Sequence, residues 1–142
     1  MRMDDEFLET MDIDWFARDR DGRLMHFATG GRGHVPEEVA CSVARWSATC
    51  EAVDMLPEVY DVLIVEDALP PLESKEARAR FVKSYAAMAR RGLYSHDVCD
   101  GGYTLIARPK VERPVILLSD EAESGIPTVD VSCAEEGCRV IM

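Results

Sequence analysis

At 142 residues, 47% hydrophobic and 30% charged, the chain has the length and balance of one globular domain that buries a core without disulfide or metal staples. Its net charge of -11, from 27 acidic and 16 basic residues, repels nucleic acid and anionic lipid and favours encounter with basic partners, while serving solubility equally well. The acidic start Met1–Phe7 lacks the basic head and apolar run of an export signal. The longest apolar runs, Val62–Val65 and Val115–Leu118, fall far short of the ~20 residues that cross a bilayer. Five scattered cysteines fit reduced thiols, so the expected setting is cytoplasmic, with no membrane role.

The elements follow in chain order. After a short charged lead, Asp12–Ala17 reads as a strand, Arg18–Gly22 as a turn and Arg23–Thr29 as a second strand, together a β-hairpin. On the second strand Leu24, His26 and Ala28 share one face and Met25, Phe27 and Thr29 the other. Gly30–His34 breaks the pattern, and Pro36-Glu37-Glu38 opens a helix with proline near its first position and carboxylates at the positive end of the dipole. Val39, Val43, Trp46, Cys50 and Val53 form one apolar stripe that carries this helix to Leu56-Pro57.

The apolar run inside Glu58–Glu66 fits a buried strand or a short helix equally well. Leu69-Pro70-Pro71-Leu72 forces an extended connection. A second helix runs from Lys75 to about Arg91, with Ser74 as a partial cap, Ala77, Phe81, Tyr85 and Met88 on one face and Gly92 as its stop. Leu93–Cys99 and Tyr103–Arg108, around Asp100-Gly101-Gly102, predict a second hairpin. Val115–Leu118 and Thr128–Ser132 read as two further strands, and Gly137–Met142 as a short tail. The expected fold is α+β: a single domain with a mainly antiparallel sheet and two helices packed on one face.

Candidate sites each have a plain structural counterpart. Gly30, Gly31, Arg32, Gly33 and His34 stand between a strand and a helix, where backbone N–H groups and an arginine suit a phosphate or carboxylate. Their spacing matches neither nucleotide-binding glycine motif, and a tight turn explains the same residues. Asp19-Arg20-Asp21-Gly22 has part of a calcium loop's composition, but alanines stand at its first and last ligand positions, which leaves a hairpin turn. His26, His34 and His96 and the cysteines show no paired metal-ligand spacing, so neither a metal nor a cofactor is called for.

A thiol nucleophile would need Cys41 or Cys99 beside His34 or His96. The stripe instead predicts a buried, inert Cys41, and His96-Asp97 reads as an exposed pair. Cys133 and Cys138, with four residues between them, are placed for a late redox bridge that nothing else supports. No catalytic motif is legible. Charge is uneven: Lys75–Arg91 holds six basic residues against Glu76 alone, so the acidic excess lies elsewhere. Glu66-Asp67 and Asp120, Glu121 and Glu123 are candidate contacts for a basic partner, or simply solvated loops.

Asp12-Ile13-Asp14-Trp15-Phe16, Asp21-Gly22, His26-Phe27-Ala28-Thr29-Gly30-Gly31 and Gly33-His34-Val35-Pro36 resemble the opening of small uncharacterised bacterial proteins. Tyr94–Pro109 resembles them more loosely. Several of those proteins are similar to immunity proteins of polymorphic toxin systems. The resemblance implies a non-catalytic protein that neutralises a basic protein toxin by binding it, and it brings no catalytic residues.

Overall fold

A computed structural model of the chain describes residues 1–112, 114–132 and 139–141, the last three as backbone only. The lead holds a short helix α1 (Asp5–Thr10), whose first turn is capped by the Asp4 carboxylate accepting the Phe7 N–H at 2.8 Å. Strands β1 (Asp14–Arg18) and β2 (Leu24–Ala28) form the expected antiparallel hairpin. Its turn is closed from within: Asp19 Oδ1 accepts the N–H groups of Asp21 at 2.9 Å and Arg23 at 2.8 Å, and Gly22 takes the positive φ of +86°. The Arg23 guanidinium, nearly buried, answers Asp19 and Asp21 and donates to the Glu112 carbonyl.

The single helix expected from Pro36 to Leu56 is two helices, α2 (Glu37–Ala40) and α3 (Val43–Asp54). The break has a local cause. Ser42 is extended and its hydroxyl caps α3 by accepting the Arg45 N–H, while the amino-terminal segment pairs across the gap, Met3 N–H to Ala40 O and Val43 N–H to Met1 O, each at 2.8 Å. Cys41 consequently sits at an exposed helix end with its thiol on the Glu38 carbonyl, not in the core as expected. The ambiguous run resolves as β3 (Val62–Ile64), followed by a 3-10 turn at Glu66–Ala68. Helix α4 (Lys75–Arg90) has the expected bounds, with Ser74 Oγ accepting the Ala77 N–H and Gly92 beyond its end at φ +102°.

Strands β4 (Tyr94–Cys99) and β5 (Gly102–Pro109) make the second hairpin. The sheet order is β1-β2-β4-β5-β3; β6 (Arg139–Ile141) pairs with Gly102–Thr104 at the other end of β5 from β3. Only β2 and β4 run parallel, so the sheet is mainly antiparallel and the fold is α+β.

Two expectations need correction. Val115–Leu118 joins no strand: Ile116 and Leu118 face the core around Phe16, Leu24, Val53 and Leu93 while Val115 and Leu117 face solvent. Thr128–Ser132 contributes a single parallel bridge to Arg18. Within the expected tail, Arg139–Ile141 is a strand; Gly137, and Cys133 and Cys138 with their proposed bridge, lie outside the described residues.

Register places Trp15, Met25, Phe27, His96, Tyr103 and Leu105 on one side of the sheet. Trp15 stacks on Phe27 at 4.2 Å, and Phe27 stacks on His96 at 4.7 Å. On the other side α4 seats Tyr85 and Ala89 against Ile106 and Ala107, and Val53 of α3 meets Phe16 and Leu24.

Candidate functional site

Because β2 and β4 are parallel neighbours, the loops that follow them leave the sheet at the same edge. Gly30–His34 therefore faces Val98–Gly102 across a cleft of about 270 Å³. The loop is folded onto Thr29: Gly31 N–H donates to its hydroxyl at 3.3 Å, and Arg32 and Gly33 N–H donate to its carbonyl at 3.1 and 2.9 Å. Those three amides are thus engaged inside the protein, and the side chains of Arg32 and His34 line the cleft. Arg32 Nη1 lies 3.8 Å from Asp100 Oδ1, so its charge is already answered at the rim. Gly33 is required for packing: a Cβ there would stand 2.3 Å from the Tyr103 hydroxyl, which donates to the His34 carbonyl at 2.7 Å and receives the Trp15 indole N–H at 3.2 Å.

The acidic residues singled out from the sequence do not converge. Glu66 forms an ion pair with Arg78 of the basic helix, with Arg78 Nε 3.2 Å from Oε2, and Glu123 forms one with Arg18. Asp67 is exposed beside Glu66, and Asp120 and Glu121 are exposed in the short helix α5 (Asp120–Glu123). Glu66 and Asp67 follow β3 at one sheet edge, whereas α5 is tied to β1 at the opposite edge, on the order of 19 Å away at four strand spacings.

The structure assembles a third site. Between β1, α3 and α4 opens a cleft of about 220 Å³ with Asp12, Asp14 and Asp54 at its walls and Phe16, Trp46 and Met88 as its apolar lining. Trp46 and Asp54 share one stripe of α3 at i and i+8, with Cys50 between them. The indole N–H of Trp46 donates to the Asp14 carbonyl at 2.7 Å, and Phe7 meets its ring edge-on at 5.9 Å, which fixes its orientation. Burial, and then the charges of Asp14 and Asp54, push the Cys50 thiol up to about 12. Burial, a hydrogen bond to Asp97 and the charges of Asp14 and Asp12 raise the Tyr85 hydroxyl. Among the described residues no lysine or arginine forms an ion pair with Asp12, Asp14, Asp54 or Asp97.

Beneath the cleft, His26 Nδ1 meets Ser95 Oγ at 2.7 Å and His26 Nε2 lies 3.4 Å from Asp14 Oδ1 without hydrogen-bond alignment, so this buried nitrogen has no hydrogen-bond partner. The Ser-His-Asp composition is not a nucleophile geometry, since Ser95 is fully buried and a substrate carbonyl cannot reach its hydroxyl. His96, expected as an exposed residue, is also fully buried. Its Nδ1 donates to the carbonyls of Tyr94 at 2.9 Å and His26 at 3.2 Å, and its buried Nε2 has no hydrogen-bond partner among the described residues, so no cysteine is paired with it.

No protein-family model, curated protein or solved structure matches the chain.

Proposed function

We propose that the chain is a non-catalytic acidic domain that binds a basic protein, with a bacterial toxin neutralised by that binding as the partner its opening motifs suggest. The observation that carries this reading is the cleft of Asp12, Asp14 and Asp54, whose carboxylates form no ion pair with a lysine or arginine among the described residues. Glu66 and Glu123, engaged with Arg78 and Arg18, are secondary to it. An arginine or lysine entering the cleft meets carboxylates on two walls and an apolar lining that includes Trp46, which suits both the charge and the aliphatic stem of such a side chain. The net charge of -11 steers a basic partner toward it over a longer range. The alternative, anion binding at Gly30–His34, is weakened because three of the loop's amides are held by Thr29 and its arginine already faces Asp100.

The test immobilises the protein, identifies by mass spectrometry what it retains from a lysate of its native cell, and measures association rates with the recovered partner. Replacing Asp12, Asp14 and Asp54 together by asparagine should slow association about tenfold or more, and added salt should slow the unaltered protein likewise. Equal rates for the triple variant and the unaltered chain would sink the assignment of the cleft.

A further inference from the structure

On the far side of α3 from its capped start, the helix ends in a face of opposite character. Met55, Val59, Val115 and Leu117 are 84%, 69%, 75% and 86% exposed. The last three line one groove of about 250 Å³ together with Leu56, Pro57, Tyr60 and Ile116, and Met55 adjoins it at Leu56. Exposed side chains of this size amount to on the order of 500 Å² of apolar surface, near the upper limit that monomers carry. Among the described residues no carboxylate lines the groove, and its ionic group is Arg91.

The backbone beside the groove is open as well. Tyr60 brackets Val115, its hydroxyl accepting the Val115 N–H at 3.0 Å and donating to the Val115 carbonyl at 3.2 Å, as a neighbouring strand would. The N–H and C=O of Leu117, on the same edge by the two-residue period of an extended chain, make no hydrogen bond among the described residues. An apolar extended segment bringing its own backbone N–H and C=O would satisfy both.

We infer that this face is where a second copy of the chain docks, the Val115–Leu118 segments running antiparallel across a two-fold axis and each Leu117 entering the groove of the other copy. Three observations select that occupant. The patch holds both the knob, Leu117, and the hole, the groove of Leu56, Val59 and Tyr60, which is the self-complementarity a two-fold interface requires. Its apolar surface, on the order of 500 Å², is more than half of the ~800 Å² per partner of a stable interface. The lining holds no carboxylate among the described residues, so it offers nothing to a basic partner, which is drawn to the acidic cleft instead.

Sedimentation velocity from about 1 to about 200 µM should show the mass of two chains replacing that of one. Leu117→Asp, and separately Val59→Lys, should raise the midpoint at least about 30-fold, the effect of losing one central anchor. Far-UV circular dichroism should match the unaltered chain, because both side chains are exposed. The triple asparagine variant of the cleft should dimerise normally, which separates this inference from the proposed function. A single-chain mass throughout the range, or a dimer that both substitutions leave unchanged, would overturn it.

Discussion

The buried His96 makes the fold sensitive to mild acid, by an amount that follows from its surroundings. Its ring lies fully inside the sheet against Phe27, its Nδ1–H bonds two carbonyls and its Nε2 has no partner, so there is nothing to stabilise a second proton. Burial is the main cause, outweighing the two carbonyls that favour the charged form, and proximity to His26 adds to it; together they lower the group from 6.5 to about 4. A histidine depressed in the folded state binds its proton more readily once unfolded. Stability is therefore full above about pH 6.5, falls as pH drops through that value and stops falling below about pH 4. The loss from this one group is ~2 kcal/mol between pH 7 and 5 and ~3 kcal/mol by pH 4, a large part of a small domain's stability. Urea unfolding at a series of pH values would measure it in the unaltered chain and in His96→Asn, whose amide still donates to the two carbonyls. Whatever the variant's baseline stability, its pH dependence should be shallower by that amount. An NMR titration of His96 in the folded chain should show no protonation above about pH 5. Parallel pH dependences for the two proteins, or a His96 that titrates near 6.5, would refute the reasoning.

Gly33→Ala should destabilise the fold by about 2–3 kcal/mol, because its methyl group displaces the Tyr103 hydroxyl from both the His34 carbonyl and the Trp15 indole. Chemical denaturation would measure that loss and near-UV circular dichroism the disturbed aromatic packing; a change under ~0.5 kcal/mol would show that the loop yields freely. Cys50, held near 12 in a half-buried and negative site, is thiolate in only about one molecule in 10⁴ at pH 8. Alkylation followed by peptide mass mapping should label exposed Cys41 at least about 100-fold faster than Cys50, and comparable rates would mean that the cleft is open to solvent and its field weak.

The parts of the fold legible in the sequence are those fixed by local chemistry. Asp19 and Gly22 specify the first hairpin turn through a carboxylate that accepts two N–H groups and a residue that tolerates positive φ. Ser74 and Gly92 bracket α4 for equally local reasons. The misreadings share the opposite cause. An unbroken stripe from Val39 to Val53 describes a continuous apolar face and is silent on the chain passing through it: Met1 and Met3 engage backbone groups that a continuous helix would use itself. Val115–Leu118 has the composition of a strand but is not paired into the sheet, so composition supplies the extended conformation without the partner. The three residues of β6 are too few for any periodic signal.

The acidic cleft was hidden for a related reason. Asp12, Asp14, Trp46, Asp54 and Met88 come from three elements and their flanks, and only the placement of β1 at the sheet edge under α3, with Met88 reaching in from α4, brings them together. One hint was present: on a helix, Trp46, Cys50 and Asp54 recur at four-residue intervals, and a carboxylate on an apolar stripe marks a place where the stripe meets water or a cation. The acidic loops looked stronger because their charges are adjacent in sequence, yet adjacency does not count the cations that folding brings in. Arg78 and Arg18 arrive from 12 and 105 residues away to engage Glu66 and Glu123. Asp14 instead lies near a histidine nitrogen with which it is not aligned, and Asp12 and Asp54 have no cation among the described residues. Asp67, Asp120 and Glu121 are likewise without an ion pair among the described residues, but they stand at opposite sheet edges, whereas Asp12, Asp14 and Asp54 converge on one cleft, and attraction for one basic group grows with the number of carboxylates that it meets together.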